Sequence, residues 1–253
     1  MMAFLKKELL EQIRSGKLLF LGILFVLFGV MNPAVAKLTP WLLEIMADSM
    51  AESGMTITLS QVTAMDSWVQ FFKNIPMALI AFVLMEGSIF TKEYSSGTLL
   101  LSLTKGLARY KVVVTKTLVL TVLWTIGYWL CFLITYSYNA YFWDNSVAQN
   151  LLFSAVCWWI FGLWVISMLI LFSSLAKENT VVLLGTGGVV LICSLFSFIP
   201  TVQKFLPTQL SDGNSLIYGL AVADQYFPAL IVAIAMAILC FGASIPIFNK
   251  KQL

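Results

Sequence analysis

Residues 151–176 read LLFSAVCWWIFGLWVISMLILFSSLA, an apolar run without a charged side chain. A helix needs about 20 apolar residues to cross the hydrocarbon core of a bilayer, so this run can span it and tilt or project beyond the lipid. The run is continuous rather than alternating, which excludes a strand of a transmembrane β-barrel. It therefore predicts a membrane-spanning helix.

The whole chain shares this character. Of its 253 residues, 60% are hydrophobic and 11% are charged, and the mean hydropathy is +0.93. Soluble domains carry about 25% charged residues, so the composition indicates an integral membrane protein. We predict an all-α fold in one transmembrane domain over residues 1–253. Its six spans are expected at about 18–36, 75–91, 112–138, 151–176, 180–199 and 227–248.

The distribution of positive charge predicts the orientation, because Lys and Arg concentrate in cytoplasmic loops. With both termini inside, only Lys37, Lys73 and Lys204 lie outside. The twelve residues inside are Lys6, Lys7, Arg14, Lys17, Lys92, Lys105, Arg109, Lys111, Lys116, Lys177, Lys250 and Lys251. We expect a multi-pass protein of the cell membrane with both termini cytoplasmic. The first apolar run follows a charged arm, and no small-residue cleavage site comes just after the run. No cleaved signal peptide is therefore expected.

The segment Lys92–Lys116, KEYSSGTLLLSLTKGLARYKVVVTK, lies between spans two and three. It predicts a polar turn, a bend at Gly97, a helix capped by Thr98 and a basic exit. A short apolar helix below the membrane fits a groove on a soluble protein; the alternative is a re-entrant turn in the interface. The candidate contact residues are Glu93, Gly97, Thr98, Leu99, Leu100, Leu103 and Arg109.

Residues 2–17 form an amphipathic pattern, with apolar residues at helical spacing among charged ones. This predicts an elbow helix in the membrane interface whose apolar face enters the lipid and whose basic face meets headgroups. An ordinary anchor and topology signal is the alternative interpretation. The functional interpretation is a helix that bears against a moving partner.

Two outer connections are too long to be plain loops. In residues 37–74, Thr39-Pro40 predicts a helix start, Gly54 a stop, and residues 66–73 a second amphipathic helix on the outer leaflet. These pieces act either as a structural lid or as an exit gate. The gate candidates are Trp41, Trp68, Phe71 and Phe72. Residues 200–227 carry several Pro and Gly and are expected to be broken or re-entrant, partly buried between spans five and six.

Ionisable and catalytic chemistry is sparse. Glu86 lies within span two, where an acidic group needs a partner; Arg14 or Lys17 is expected to pair with it, and proton or ion coupling is the alternative. There is no histidine, no Walker loop and no triad or zinc motif. The sequence therefore predicts no enzyme, no cofactor or metal in this chain, and no nucleic-acid partner.

The four cysteines are expected to be buried free thiols: Cys131, Cys157, Cys193 and Cys240.

The loop resembles the first cytoplasmic loop of ABC-2 type transporter permeases. That loop typically reads E-x-x-x-G-T, then a leucine-rich helix, a small turn, an Arg and a Lys at the next span. This chain supplies Glu93-Tyr-Ser-Ser-Gly97-Thr98, Leu99 to Leu103, Arg109 and Lys116, and it has Lys105-Gly106 where a Pro turn is frequent. The resemblance extends over the whole chain, from the arm to the basic tail.

The resemblance implies that two permeases pair, each bound through the loop to a cytoplasmic ABC ATPase that holds ATP and Mg. Chains of this size look like bacterial exporters of antimicrobial, lantibiotic or phenol-soluble-modulin peptides, so an amphipathic peptide is the expected substrate. The alternatives are a stand-alone secondary transporter or channel, or a membrane scaffold or sensor subunit without transport.

Overall fold

The computed structural model describes residues 2–51, 61–104 and 106–251; the side chains of residues 43, 44, 46–51 and 100–102 lie outside this description. Throughout the described part the chain is helical, with no strand. The helices are α1 (Met2–Arg14), α2 (Lys17–Ala51), α3 (Ala64–Glu86), α4 (Thr91–Ser96), α5 (Thr98–Thr104), α6 (Arg109–Phe142), α7 (Leu151–Leu175), α8 (Asn179–Phe196), α9 (Pro200–Gln203), α10 (Gly213–Ile217) and α11 (Phe227–Lys250). Single 3₁₀ turns cover residues 87–89, 145–147, 207–211 and 223–226.

Six of these helices, α2, α3, α6, α7, α8 and α11, are long and apolar enough to cross a membrane. They correspond to the six spans expected from the sequence, and an all-helical membrane fold is confirmed. The observed helices run past the apolar stretches at several ends. The reason is that extending an existing helix is far easier than starting one.

The bundle is organised around α7, which packs against α11, α8 and α6, while α2 packs against α3 and α6. The interior is strongly aromatic; its largest fully buried side chains include Trp68, Trp124, Trp164, Tyr128, Tyr226, Phe71 and Phe82. Two of these side chains donate to backbone carbonyls: Trp124 to the Trp159 oxygen at 3.2 Å, and Tyr128 to the Ala155 oxygen at 2.7 Å. These bonds remove most of the cost of burying polar atoms in lipid.

Helices α6 and α7 approach closely at Gly162, where a Cβ atom would collide with the Trp124 indole. We expect Gly162→Ala to destabilise the protein by about 1–3 kcal/mol, because extra atoms in a packed core force neighbours to shift. Thermal unfolding in detergent measures this. Gly187→Ala is the matched control, since a Cβ there meets nothing within 4 Å. Equal melting temperatures for the two variants would contradict the close approach.

The expected helix start at Thr39-Pro40 is wrong. Helix α2 continues through Pro33 and Pro40 to Ala51, and the Thr39 hydroxyl donates to the Val35 oxygen at 2.7 Å instead of capping a new helix. The helix is already formed when it reaches Pro40, so continuation costs less than a break and a new nucleus. The expected stop at Gly54 lies outside the described residues.

The second amphipathic helix expected on the outer leaflet is also wrong. Residues 66–73 form the first turns of α3, which begins with a capping box between Thr63 and Asp66. Trp68, Phe71 and Phe72 are buried against α6 and its neighbours rather than laid on the lipid surface. Burying three aromatic side chains against protein stabilises these residues as part of a helix packed in the bundle.

Residues 200–226 are broken into short pieces, as expected. Helix α10 and the turn at 207–211 pack on α7, and Leu210, Leu216 and Ile217 are fully buried. The Ser154 hydroxyl of α7 donates to the Gly213 oxygen at 3.2 Å. The segment therefore covers the end of α7 with short helical pieces that pack against it.

Candidate functional site

The basal end of the bundle is the end formed by α1, α4, α5, the start of α6 and the C-terminal end of α11. It holds a connected set of polar side chains, here called the basal cluster. Its members are Lys7, Glu8, Glu11, Gln12, Lys17, Glu86, Lys92, Glu93 and Lys116.

Lys116 of α6 is the centre of the basal cluster and is only 1% exposed. Its ammonium group lies 2.8 Å from a Glu8 oxygen on α1, 3.1 Å from a Glu93 oxygen on α4 and 3.0 Å from the Ile89 carbonyl. Glu8 and Glu93 are themselves buried. One buried cation therefore joins three elements that are distant in the sequence.

Lys7 extends this centre to the surface. Its ammonium group pairs with Glu93, with Glu8 at 3.1 Å and with Glu11 at 3.3 Å. Burial alone would lower the pKa of Lys7, but the hydrogen bond and charge of Glu93 and the charge of Glu8 outweigh it and raise that pKa. Burial alone would raise the pKa of Glu11, but the charges of Lys7, Lys116 and Lys92 outweigh it and lower that pKa. Both groups are thus held in their charged forms.

Glu86, at the end of α3, is fully buried. It accepts a hydrogen bond from Gln12 of α1 at 2.8 Å and lies 3.5 Å from the Lys17 ammonium group. The expected pairing with Lys17 is confirmed, whereas Arg14 is exposed and does not reach Glu86 among the described contacts. Gln12 is a partner that the sequence did not reveal.

The basal cluster balances four carboxylates against four lysines. Oxygens of Glu8, Glu11 and Glu93 lie within 4.8 Å of one another, and each of these carboxylates has a lysine ammonium group within 3.6 Å. Removing one partner from a buried pair leaves an uncompensated charge, which is strongly unfavourable. The arrangement is therefore suited to holding α1, α3, α4 and α6 in one fixed relation.

The turn between α4 and α5 projects from the basal end. Gly97 has φ +68° and ends α4, its N–H donating to the Tyr94 oxygen at 3.4 Å. The left-handed conformation suits glycine, so the predicted bend at this residue is confirmed. Around it the side chains of Ser95, Ser96 and Thr98 are exposed.

Leu99 and Leu103 of α5 do not form the outward knob that the sequence suggested. Leu99 is 1% exposed and Leu103 packs against the core, while the side chain of Leu100 lies outside the described residues. The physical reason is that apolar side chains bury against the nearest apolar surface, which is this chain's own bundle. The exposed part of this region is the small polar turn at residues 95–98.

Arg109, one of the candidate contact residues, caps the C-terminal end of α11. Its guanidinium group donates to the carbonyls of Asn249 at 3.0 Å and Lys251 at 2.7 Å. Lys251 in turn donates to the Ala176 oxygen at 2.6 Å, at the end of α7, and lies 4.1 Å from the centre of the Tyr94 ring. Cations near helix C-termini are favourable, so these contacts fasten the ends of α7 and α11 to α4.

We expect Lys251 to titrate near neutral pH, because burial and the nearby Lys177 lower the pKa of its amine from 10.5 to about 8. Between pH 8 and 10.5 the unfolded chain holds a proton that the folded chain has released, so this group's contribution to stability rises with pH in that window. NMR titration of ¹³C-methylated lysines measures the midpoint. Lys177→Gln should raise the midpoint, and an unchanged value would contradict the charge repulsion.

The four gate candidates are not brought together as an exposed gate. Three of them lie in the interior: the ring centre of Phe71 is 5.7 Å from that of Trp68 and 5.2 Å from that of Phe72. Trp41, on α2, is 56% exposed. A gating role for these residues remains a prediction.

Sequence reasoning missed Glu8, Gln12 and the burial of Lys116. One signal was available: Phe4, Glu8 and Gln12 recur every four residues, which places them on one face of α1. That face packs against the bundle, and the more apolar face, with Leu9, Leu10 and Ile13, is exposed.

Comparison with known proteins agrees with these features. The family described as "ABC-2 family transporter protein" matches residues 2–213. The chain is also similar to the uncharacterized transmembrane protein YxlG of Bacillus subtilis (strain 168), with 26% identity over 220 residues, covering 83% of this chain and 81% of that protein. No solved structure matches the chain. With six spans and a family match over most of its length, the chain belongs to the ABC-2 family of transporter proteins and is a transmembrane subunit of an ABC transporter.

Proposed function

We propose that two copies of this chain form the membrane part of a bacterial exporter, in which each copy binds a separate cytoplasmic ABC ATPase at the turn of residues 95–98. ATP and Mg are held by the ATPase, since the chain has no Walker loop. The basal end is then cytoplasmic, as the positive charge there favours. The transported molecule is an amphipathic peptide.

The observation that carries the proposal is the attachment of the projecting turn. Helix α4, which leads into it, is bound through Glu93 to Lys116 of α6 and Lys7 of α1. Tyr94 of the same helix donates to the Ser173 oxygen at the end of α7, at 3.2 Å. A push on the turn therefore reaches three other helices directly, which is what transmission of force from a soluble partner needs.

An apolar groove supports the choice of substrate. It has a volume of about 540 Å³ and is lined by α3, α7 and α8. Apolar side chains such as Leu79 and Val190 dominate its walls, and Thr186 and Ser194 add hydroxyl groups. Such a mixture suits the apolar face of an amphipathic helix. Helix α8 leaves most of its surface exposed, which is consistent with a second copy facing it.

Site-specific photocrosslinking tests the ATPase contact. A benzoylphenylalanine at Ser96 should crosslink to the ABC ATPase co-expressed with the chain, whereas the same residue at exposed Ser146, beyond α6 at the opposite end, should not. The purified complex should contain two permeases and two ATPases. A chain that never binds an ATPase would instead favour a stand-alone transporter or a scaffold.

Filling the groove tests the substrate assignment. Gly187 and Gly188 are neighbours on α8, a Cβ at either meets nothing within 4 Å, and only Gly187 lines the groove. We expect Gly187→Phe to abolish stimulation of the reconstituted ATPase by amphipathic peptides and Gly188→Phe to preserve it. Equal effects of the two substitutions would count against this groove as the peptide path.

A further inference from the structure

We propose that the corner between α1 and α2 binds one anionic membrane phospholipid, with its phosphate beside Arg14 and an acyl chain along α2. This site is separate from the peptide groove and from the ATPase contact. It rests on two open cavities whose linings include consecutive residues of α1, Ile13 in one and Arg14 in the other.

The first cavity is lined largely by charged residues and has a volume of about 490 Å³. It is lined by Lys7, Leu10, Glu11, Arg14, Ser15 and Lys92. Three of these residues are cationic, and the single carboxylate is already paired with Lys7 at 3.3 Å and Lys92 at 3.6 Å. Arg14 is exposed and has no ion pair among the described residues. Its guanidinium fork is suited to binding a phosphate group.

The second cavity is apolar and has a volume of about 650 Å³. It begins at Ile13, next to Arg14, and follows α2 along Leu19, Ile23 and Leu27. From Leu19 to Leu27 the groove extends roughly 12 Å along the helix. One leaflet contributes about half of the ~30 Å hydrocarbon core, so the groove runs through most of one leaflet.

The corner has a local cause. Gly16 has φ +74° and separates α1 from α2, so the two helices meet at an angle instead of forming one rod. Helix α2 begins at Lys17, and the unpaired amides of its first turn lie at this corner, where they favour an anion. A pocket with cationic side chains beside an apolar groove matches the two parts of a phospholipid. A free phosphate would leave the groove empty.

The chain offers matched variants for both parts. Gly22 lines the apolar cavity, and a Cβ there meets nothing within 4 Å, so Gly22→Phe fills the groove without a clash inside the protein. Gly242→Phe, on exposed α11, is its control because a Cβ there is equally free. Lys6→Gln is the control for Arg14→Gln, since Lys6 is exposed on the same helix but lines neither cavity.

Native mass spectrometry tests the proposal on the chain released from nanodiscs of mixed phosphatidylglycerol and phosphatidylcholine. We expect one retained phosphatidylglycerol per chain. Arg14→Gln should reduce retention of phosphatidylglycerol about fivefold, the value for losing one cation near a headgroup. Gly22→Phe should abolish retention. Both control variants should retain the lipid as the unchanged chain does. Equal losses for Lys6→Gln and Arg14→Gln would overturn the site in favour of general charge attraction.

Two further results would also overturn the proposal. Inorganic phosphate that displaces the lipid as effectively as phosphatidylglycerol itself would show that the groove contributes nothing. If Gly22→Phe disrupts a dimer of the permease and Gly242→Phe does not, the corner contacts a second copy of the chain instead of a lipid. Melting temperatures of all four variants separate these results from misfolding.

Discussion

Replacing Lys116 by methionine is expected to destabilise the protein by about 3–5 kcal/mol, the usual cost of removing one partner from a buried ion pair. Methionine has a similar volume, so little packing is lost. What remains is Glu8, buried on α1, facing Glu93 with only the half-exposed Lys7 to balance both. Two carboxylates in a poorly solvated site repel each other, and Glu8 loses the hydrogen bond that Lys116 donates to it.

Equilibrium unfolding in mixed micelles, followed by tryptophan fluorescence, measures this loss. Lys111→Met is the matched control, because Lys111 lies on the same helix, is only partly buried and has no ion pair among the described residues. Adding Glu8→Gln to Lys116→Met should recover part of the loss, since Lys7 then balances Glu93 alone. A loss no larger than that of Lys111→Met would show that the basal cluster does not hold the helices together.

The architecture could be predicted because it depends on local properties. Apolar runs of sufficient length specify spans in lipid, whatever they pack against. The glycine at the turn is similar: a sharp bend between two short helices needs a positive φ, and Gly97 is the residue that adopts it most readily. These features require no knowledge of distant parts of the chain.

The basal cluster could not be predicted in the same way. Lys116 lies seven residues into α6, where a lysine ordinarily extends its stem toward the headgroups. It points inward because Glu8, 108 residues away in the chain, and Glu93 lie next to it in the fold. The orientation of α1 is equally non-local: a helix with one polar and one apolar face has two ways to lie at the interface. Here the face with Glu8 and Gln12 has buried partners, and the apolar face is exposed.

The leucines of α5 illustrate the same limit. A short apolar helix beneath the membrane fits a partner's groove or its own bundle equally well by composition. Leu99 is buried in the bundle. We therefore place the proposed contact with the ATPase at the polar turn before it. This makes the backbone geometry of the turn, rather than apolar area, the feature on which docking of the proposed ATPase depends.

Gly97→Val is therefore expected to weaken ATPase binding about 5- to 30-fold. A Cβ at Gly97 meets nothing within 4 Å, so the effect is not a clash. A non-glycine residue in the left-handed region costs roughly 1–2 kcal/mol, and a β-branched side chain lies at the upper end. The docking-competent turn is then populated in a minor fraction of molecules, and the apparent affinity falls by that fraction. Titration of the ATPase against the chain in nanodiscs measures the change.

Gly97→Asn is the variant that isolates the cause. Asparagine adopts positive φ far more readily than valine, yet it adds a side chain of comparable size at the same exposed point. We expect Gly97→Asn to bind the ATPase nearly as well as the unchanged chain and to keep peptide-stimulated ATP hydrolysis. If both substitutions bind normally, residues 95–98 are not the docking surface. If both lose binding equally, the contact depends on the absence of a side chain and not on the left-handed turn, because only valine disturbs the backbone.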